Sequence, residues 1–193
     1  MNREYLLKHI AEVGYNVGFG AKKHFATYDM VSKVPGLIGL VSAAVGVLGL
    51  VYEPTKGLSA TFTALGFVAY YVSQYEHKRE EYSEAGAKLT ECYNDIKKTY
   101  LRVKSTNVGD ELDAFEQKVD EIEKSASKVS LSEQIVLSDW YAHYKFFWQH
   151  QIGWMDEELK FKLFRDKLPL SLVLLAIVSL VATTVWLVLK FWV

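Results

Sequence analysis

The sequence predicts an all-α membrane protein: three transmembrane helices, arranged as an N-terminal hairpin plus a C-terminal span, with a cytoplasmic helical bundle. Three observations predict it. Uncharged apolar runs occupy residues 34–52, 57–75 and 168–189. The stretch between the second and third runs contains no proline and repeats apolar residues every three or four positions. The lysines and arginines near the runs gather on one side. The expected organisation is a cytoplasmic amphipathic segment (1–33), a transmembrane hairpin (34–75), a cytoplasmic bundle (76–167) and a third span (168–193).

Roughly 20 apolar residues make a helix that crosses about 30 Å of hydrocarbon, and each run has about that length. Half of the 193 residues are hydrophobic. A soluble fold would scatter them at helix or strand period rather than in blocks. Only Glu53, Pro54, Thr55 and Lys56 separate the first two runs, so they form a tight antiparallel pair. Lys22, Lys23 and Lys33 precede the first run, Lys78 and Arg79 follow the second, and Lys160, Lys162, Arg165 and Lys167 precede the third. The opposite side has only Lys56 and Lys190. The positive-inside rule then puts the N-terminus and central segment in the cytoplasm and the C-terminus in the periplasm. Charges throughout the first 33 residues exclude a cleavable signal peptide.

The spans differ in character. The third is rich in Leu and Val and reads as a lipid-facing anchor, with Trp186 and Trp192 suited to the interface. The first carries small residues at Gly36, Gly39, Ala43, Gly46 and Gly49, with Ser42 beside them. Ser59, Thr63 and Gly66 draw a similar stripe on the second. Such stripes let helix backbones approach closely. Two uses are open and compatible: packing within the hairpin, or a polar-lined seam between subunits around a pore. No ionisable residue lies deep in any run, which argues against transporters, proton pumps and intramembrane hydrolases. A channel of hydroxyls, small residues and a hydrophobic gate needs none.

In the central segment Tyr82, Ala85, Leu89, Cys92, Ile96, Tyr100 and Val103 form one apolar seam. Residues 105–109 break it, and Leu112, Phe115, Val119, Ile122, Ala126 and Val129 form a second. Ser130 and Glu133 have capping-box spacing and predict a third helix from about Leu131 to the membrane. Its aromatic run, residues 140–150, offers either a base-stacking platform or bundle core with a membrane-proximal aromatic anchor. His143 and His150 are two turns apart, too far for the usual metal-binding pair, even with Asp139 one turn away. Lys97, Lys98, Arg102 and Lys104 form a basic patch that is either a solvated face or, like Lys22 and Lys23, a contact for phosphates. Leu6, Ile10, Val13 and Val17 share the face of a short N-terminal helix, which is expected to be loosely hinged at Gly14, Gly18 and Gly20 and to lie in the interface, pack on the bundle or insert as a gating plug.

Cys92 is the only cysteine, so no internal disulfide or cysteine-based metal cluster forms. No nucleophile–base pair, phosphate-binding glycine loop or metal motif occurs, and neither an enzyme nor a cofactor is expected.

The segment Tyr15–His24 (YNVGFGAKKH), the close hairpin and the following helix with Tyr82 resemble the SLATT family. These are small two-transmembrane effectors associated with bacterial nucleotide-signalling defence systems. The resemblance spans roughly the first 105 residues and extends over the helical segment. Membrane effectors of the Hailong type are one such group. The resemblance implies pore formation or membrane disruption at the bacterial inner membrane. It also implies opening under a nucleotide or oligonucleotide signal from a partner nucleotidyltransferase-like enzyme, leading to abortive infection. Because one small-residue hairpin cannot enclose an aqueous path and the seams from Tyr82 to Val129 need partners, a homo-oligomer is expected, with a tetramer first. The third span departs from the two-span pattern. A membrane adaptor that assembles partners through its cytoplasmic helices is the alternative.

Overall fold

A computed structural model describes residues 2–52, 55–105 and 112–192. Seven α-helices carry the fold: α1 (Arg3–Leu48), α2 (Lys56–Ser73), α3 (Arg79–Ser105), α4 (Asp113–Val129), α5 (Ser138–Gln149), α6 (Gly153–Leu159) and α7 (Leu170–Trp192). A 3-10 turn (Glu76–Lys78) leads into α3, and a π-helical turn (Leu163–Lys167) leads towards α7. No strand occurs among the described residues.

The axis of the molecule is α1. Its 46 residues run about 70 Å at 1.5 Å each. Asn2 caps its start by accepting the amide of Glu4. In its first half Leu6, Ile10, Ala11, Val13, Val17 and Ala21 are buried among α3, α4, α5 and α6. The helix then continues into the first apolar run. This corrects the expected loose hinge. Gly14, Gly18 and Gly20 lie inside an unbroken helix, and so does Pro35. Tertiary packing overrides the helix-breaking tendency of glycine. A Cβ on Gly14 would lie 2.5 Å from Trp154, and one on Gly18 would lie 2.8 Å from Tyr93 and 3.0 Å from Phe146. These glycines are where large rings reach the α1 backbone. Pro35 stands where the buried half gives way to the apolar half, and costs one internal hydrogen bond without ending the helix.

The α3 seam packs as its periodicity predicts: Tyr82, Ala85, Leu89, Ile96, Tyr100 and Val103 are buried and Cys92 is partly so. On α4 only Val119 and Ala126 are fully buried.

The expected third helix from Leu131 is replaced by an irregular segment, residues 130–137, followed by α5, a turn and α6. The capping box does not form. Ser130 Oγ donates back to the Ala126 carbonyl, and Glu133 instead pairs with Lys78 at 2.6 Å.

Two of the described helices are long and apolar enough to cross a membrane, α1 and α7. The shorter α2, of 18 residues, packs beside the C-terminal half of α1. The turn joining them includes Glu53 and Pro54, which lie outside the described residues, as does most of the break expected at 105–109.

Candidate functional site

The hairpin contact is made by one face of each helix. On α1 the partly buried positions of the apolar half are Val34, Pro35, Ile38, Ser42 and Val45. On α2 they are Phe62, Leu65 and Ala69, with Val72 fully buried. The small-residue stripe falls mostly outside this seam. Gly36, Gly39, Gly46 and Gly66 are exposed, and a Cβ built on any of them meets nothing within 4 Å. The reading of close packing within the hairpin therefore does not hold for these four glycines in a single chain. Ser42, Gly46, Gly49 and Ser59 instead line a cavity of about 530 Å³ with Val45, Leu50, Leu58 and Phe62. Thr63 and Gly66 line a second of about 400 Å³ with Phe67 and Tyr70. The Thr63 hydroxyl donates to the Ser59 carbonyl one turn back.

The expected N-terminal gate, Leu6, Ile10 and Val13, lies in the bundle core with Ile96, Tyr100, Val103 and Met155.

The six basic residues divide. Lys23 pairs with Asp139 at 2.8 Å, Lys98 with Asp95 at 3.0 Å, and Lys104 with Glu157. Arg102 is exposed on α3. Lys22 and Lys97 converge on one neighbourhood. Gly18 touches Tyr93, and the Tyr93 ring lies 4.9 Å from that of His150. Lys22 is one turn from Gly18 and Lys97 one turn from Tyr93. Burial first, then Lys22 and Lys97, hold the His150 imidazole down to about 4. Lys22 itself is pushed down by burial and by Lys145, whose own partner is Asp29.

The aromatic run divides: Phe146 and Phe147 belong to the bundle core, whereas Tyr144 and Trp148 are exposed. Phe146 packs edge-on to Tyr15 (5.5 Å) and to Phe19 (6.0 Å), and His143 lies 4.8 Å from Phe19. Trp154 Nε1 donates to the Tyr93 hydroxyl at 3.0 Å. No cluster of metal-ligating side chains occurs among the described residues.

Sequence reasoning missed the segment 130–137, which ties the helices together. His24, 2% exposed, donates through Nδ1 to the Gly20 carbonyl at 2.8 Å and accepts the Leu131 amide at Nε2 at 2.9 Å. Thr27 donates to Gln134 at 2.6 Å. Tyr82 donates to the Glu133 carbonyl at 2.8 Å, and the Val136 amide donates to the Tyr71 hydroxyl at 3.2 Å. Ile135 is buried with Val31 and Val72. One short segment thus bonds to α1, α2 and α3. Side-chain-to-backbone bonds of this kind have no periodic sequence signal.

A family model described as "SMODS and SLOG-associating 2TM effector domain 6" matches residues 1–176. The match stops early in α7. No curated protein and no solved structure matches the chain significantly.

Proposed function

Because the chain belongs to the SLATT family of two-transmembrane effectors and is thus a membrane effector of defence systems, we propose that it is an oligomeric ion channel that depolarises the bacterial inner membrane on receipt of a nucleotide-type signal, causing abortive infection. It acts without catalysis. One observation carries this reading: Gly39, Gly46 and Gly66 are exposed with open space around them, and Gly46 and Gly66 line cavities together with Ser42, Ser59 and Thr63. In lipid the pull between helices comes from close packing and polar contacts, so an uncovered stripe of this kind suits a second copy. Copies packed around that stripe enclose hydroxyls and backbone, a lining that passes ions without fixed charge.

On this reading α1 and α2 form the pore-side hairpin and α7 is an added, lipid-facing anchor, which makes three spans with the bundle in the cytoplasm. The signal reaches the bundle, where Lys22 and Lys97 supply positive charge for a phosphate-bearing ligand. Its partner is the nucleotidyltransferase-like enzyme that makes the signal. Helix α1 carries the response to the pore, since it is both the bundle's central helix and the first span. The rival reading, a membrane adaptor that gathers partners through its bundle, requires neither the stripe contact between copies nor conductance.

A planar-bilayer recording of purified protein tests the reading, together with Gly46→Leu. Current steps are expected from the parent chain and none from the variant at equal membrane abundance. Toxicity of Gly46→Leu equal to that of the parent would assign the stripe to a passive face, and an assembled chain that carries no current would favour the adaptor.

A further inference from the structure

A cavity of about 500 Å³ opens where the apolar helices meet the bundle, lined by Lys23, Gln134, Leu137, Asp139, Trp140 and Ser171 among others. We propose that it holds the headgroup of one phospholipid carrying both a phosphate and a primary ammonium. The inference rests on the membrane placement above, but not on conductance.

Position comes first. The segment above the cavity is level with the entry to the bilayer. Val136 bonds to Tyr71 in the last turn of α2, and Ile135 is buried with Val31 and Val72, against Val34, the first residue of the apolar run. Ser171, on the opposite wall, lies in the first turn of α7. Around the cavity three large apolar side chains stand in the open: Val136 at 64% exposure, Leu137 at 49% and Leu170 at 72%. Leu137 adopts φ 72°, the left-handed region, which is costly for a bulky residue and concentrates at functional sites. Apolar side chains held out at the height of the interface fit the glycerol and upper acyl chain of a lipid, as amphipathic surfaces do at a headgroup boundary.

Chemistry then selects the headgroup. The wall presents one cation and one anion, Lys23 Nζ and Asp139 Oδ1, 2.8 Å apart. Their side chains are 31% and 57% exposed, so the pair is open to exchange with solvent ions and is weak by itself. A zwitterion can insert with its phosphate on Lys23 and its ammonium on Asp139, meeting both charges. The Ser171 oxygen already accepts Trp140 Nε1–H at 2.8 Å, which leaves the Ser171 hydroxyl hydrogen to donate to a phosphate oxygen. An anionic headgroup would meet Asp139 with like charge. A trimethylammonium group has no N–H to donate to the carboxylate.

The full chain in mild detergent is offered phosphatidylethanolamine, phosphatidylglycerol and phosphatidylcholine in competition, and retained lipid is counted by native mass spectrometry. We expect one phosphatidylethanolamine per chain, retained about tenfold over the other two, a ratio worth about 1.4 kcal/mol. Lys23→Met and Asp139→Asn should each lower its retention about tenfold at an unchanged melting temperature. Equal retention of the three lipids, preference for phosphatidylglycerol, or parent-like retention by both variants would overturn the proposal. If a variant proves unstable, the lipid competition on the parent chain decides alone. Membrane flotation from cells checks the premise separately: a chain missing from the membrane fraction fails the placement, whereas a chain without conductance leaves the lipid result standing.

Discussion

Histidine 24 shows how a single residue can set a pH limit on the bundle. Its two nitrogens are both committed, one to a carbonyl as donor and one to the Leu131 amide as acceptor. Only the neutral ring can do this, because protonated Nε2 cannot accept. Burial lowers its pKa, Lys23 lowers it further, and the Gly20 carbonyl raises it. His143, also lowered chiefly by burial, and His150, held at about 4, act in the same direction. For each, the unfolded chain binds more protons than the folded one below the free histidine value of about 6.5, so stability rises with pH there. The contribution is complete above about pH 6.5 and is lost as pH falls from there towards the folded values. Melting temperature is expected to drop by several degrees between pH 7.5 and 5, and His150→Gln should flatten that slope. A melt series in detergent checks both. Glycine is the second residue-scale case, since one residue type serves two ends. Gly18→Ala drives a Cβ into Tyr93 and Phe146 and should cost about 1–3 kcal/mol, as overpacking does. Gly39→Ala meets open space in the single chain and should leave the bundle's melting temperature unchanged.

At the scale of elements, α1 is the decisive structure. Leu6, Ile10 and Val13 are at most 3% exposed, within the bundle core. Removing residues 2–13 therefore takes out part of that core, at roughly 2–5 kcal/mol for each large side chain lost. The expected outcome is low abundance of folded protein rather than a constitutively open, toxic channel. Immunoblotting of the membrane fraction alongside growth curves distinguishes the two. The segment 130–137 is the other decisive element. It is irregular because its backbone groups are taken up by Tyr71, Tyr82 and His24 rather than by a helix. Tyr82→Phe leaves the buried ring in place and removes only the bond to Glu133, so it should cost about 1 kcal/mol.

Across the whole molecule, assembly is the property a single chain does not complete. On α1 and α2 the exposed glycines, and on α7 nearly every side chain described, face outward. If copies meet through the stripe, cysteines placed there approach across the contact. The native Cys92 is partly buried in the bundle and can be replaced by alanine first. In that background Gly46→Cys should form a disulfide-linked dimer in membranes under mild oxidation, whereas Trp186→Cys on α7 should not. Non-reducing gels read the result, and strictly monomeric bands for both would count against the channel and for the adaptor.

Legible in the sequence alone were the helical character, the apolar stretches within α1 and α7, the family and the buried face of α3. Each is carried by a pattern that needs no distant partner. A run without charge has one comfortable solvent, and Tyr82, Leu89, Ile96 and Val103 fall on one stripe of any helix they form. The expected count of three spans goes beyond the two described helices long and apolar enough to cross a membrane. Tertiary structure decided the rest. Local propensity reads Gly14, Gly18 and Pro35 as breaks, but Trp154, Tyr93 and Phe146 require the room those glycines leave, and α1 runs through. Ser130 and Glu133 have the spacing of a helix cap, but the Ala126 carbonyl one turn back takes the Ser130 hydroxyl and Lys78, from a distant part of the fold, claims Glu133. Lys22 and Lys97 are 75 positions apart in the chain and come together only because α1 and α3 pack side by side. A residue's neighbours along the chain fix its local preference; its neighbours across the fold decide whether that preference is obeyed.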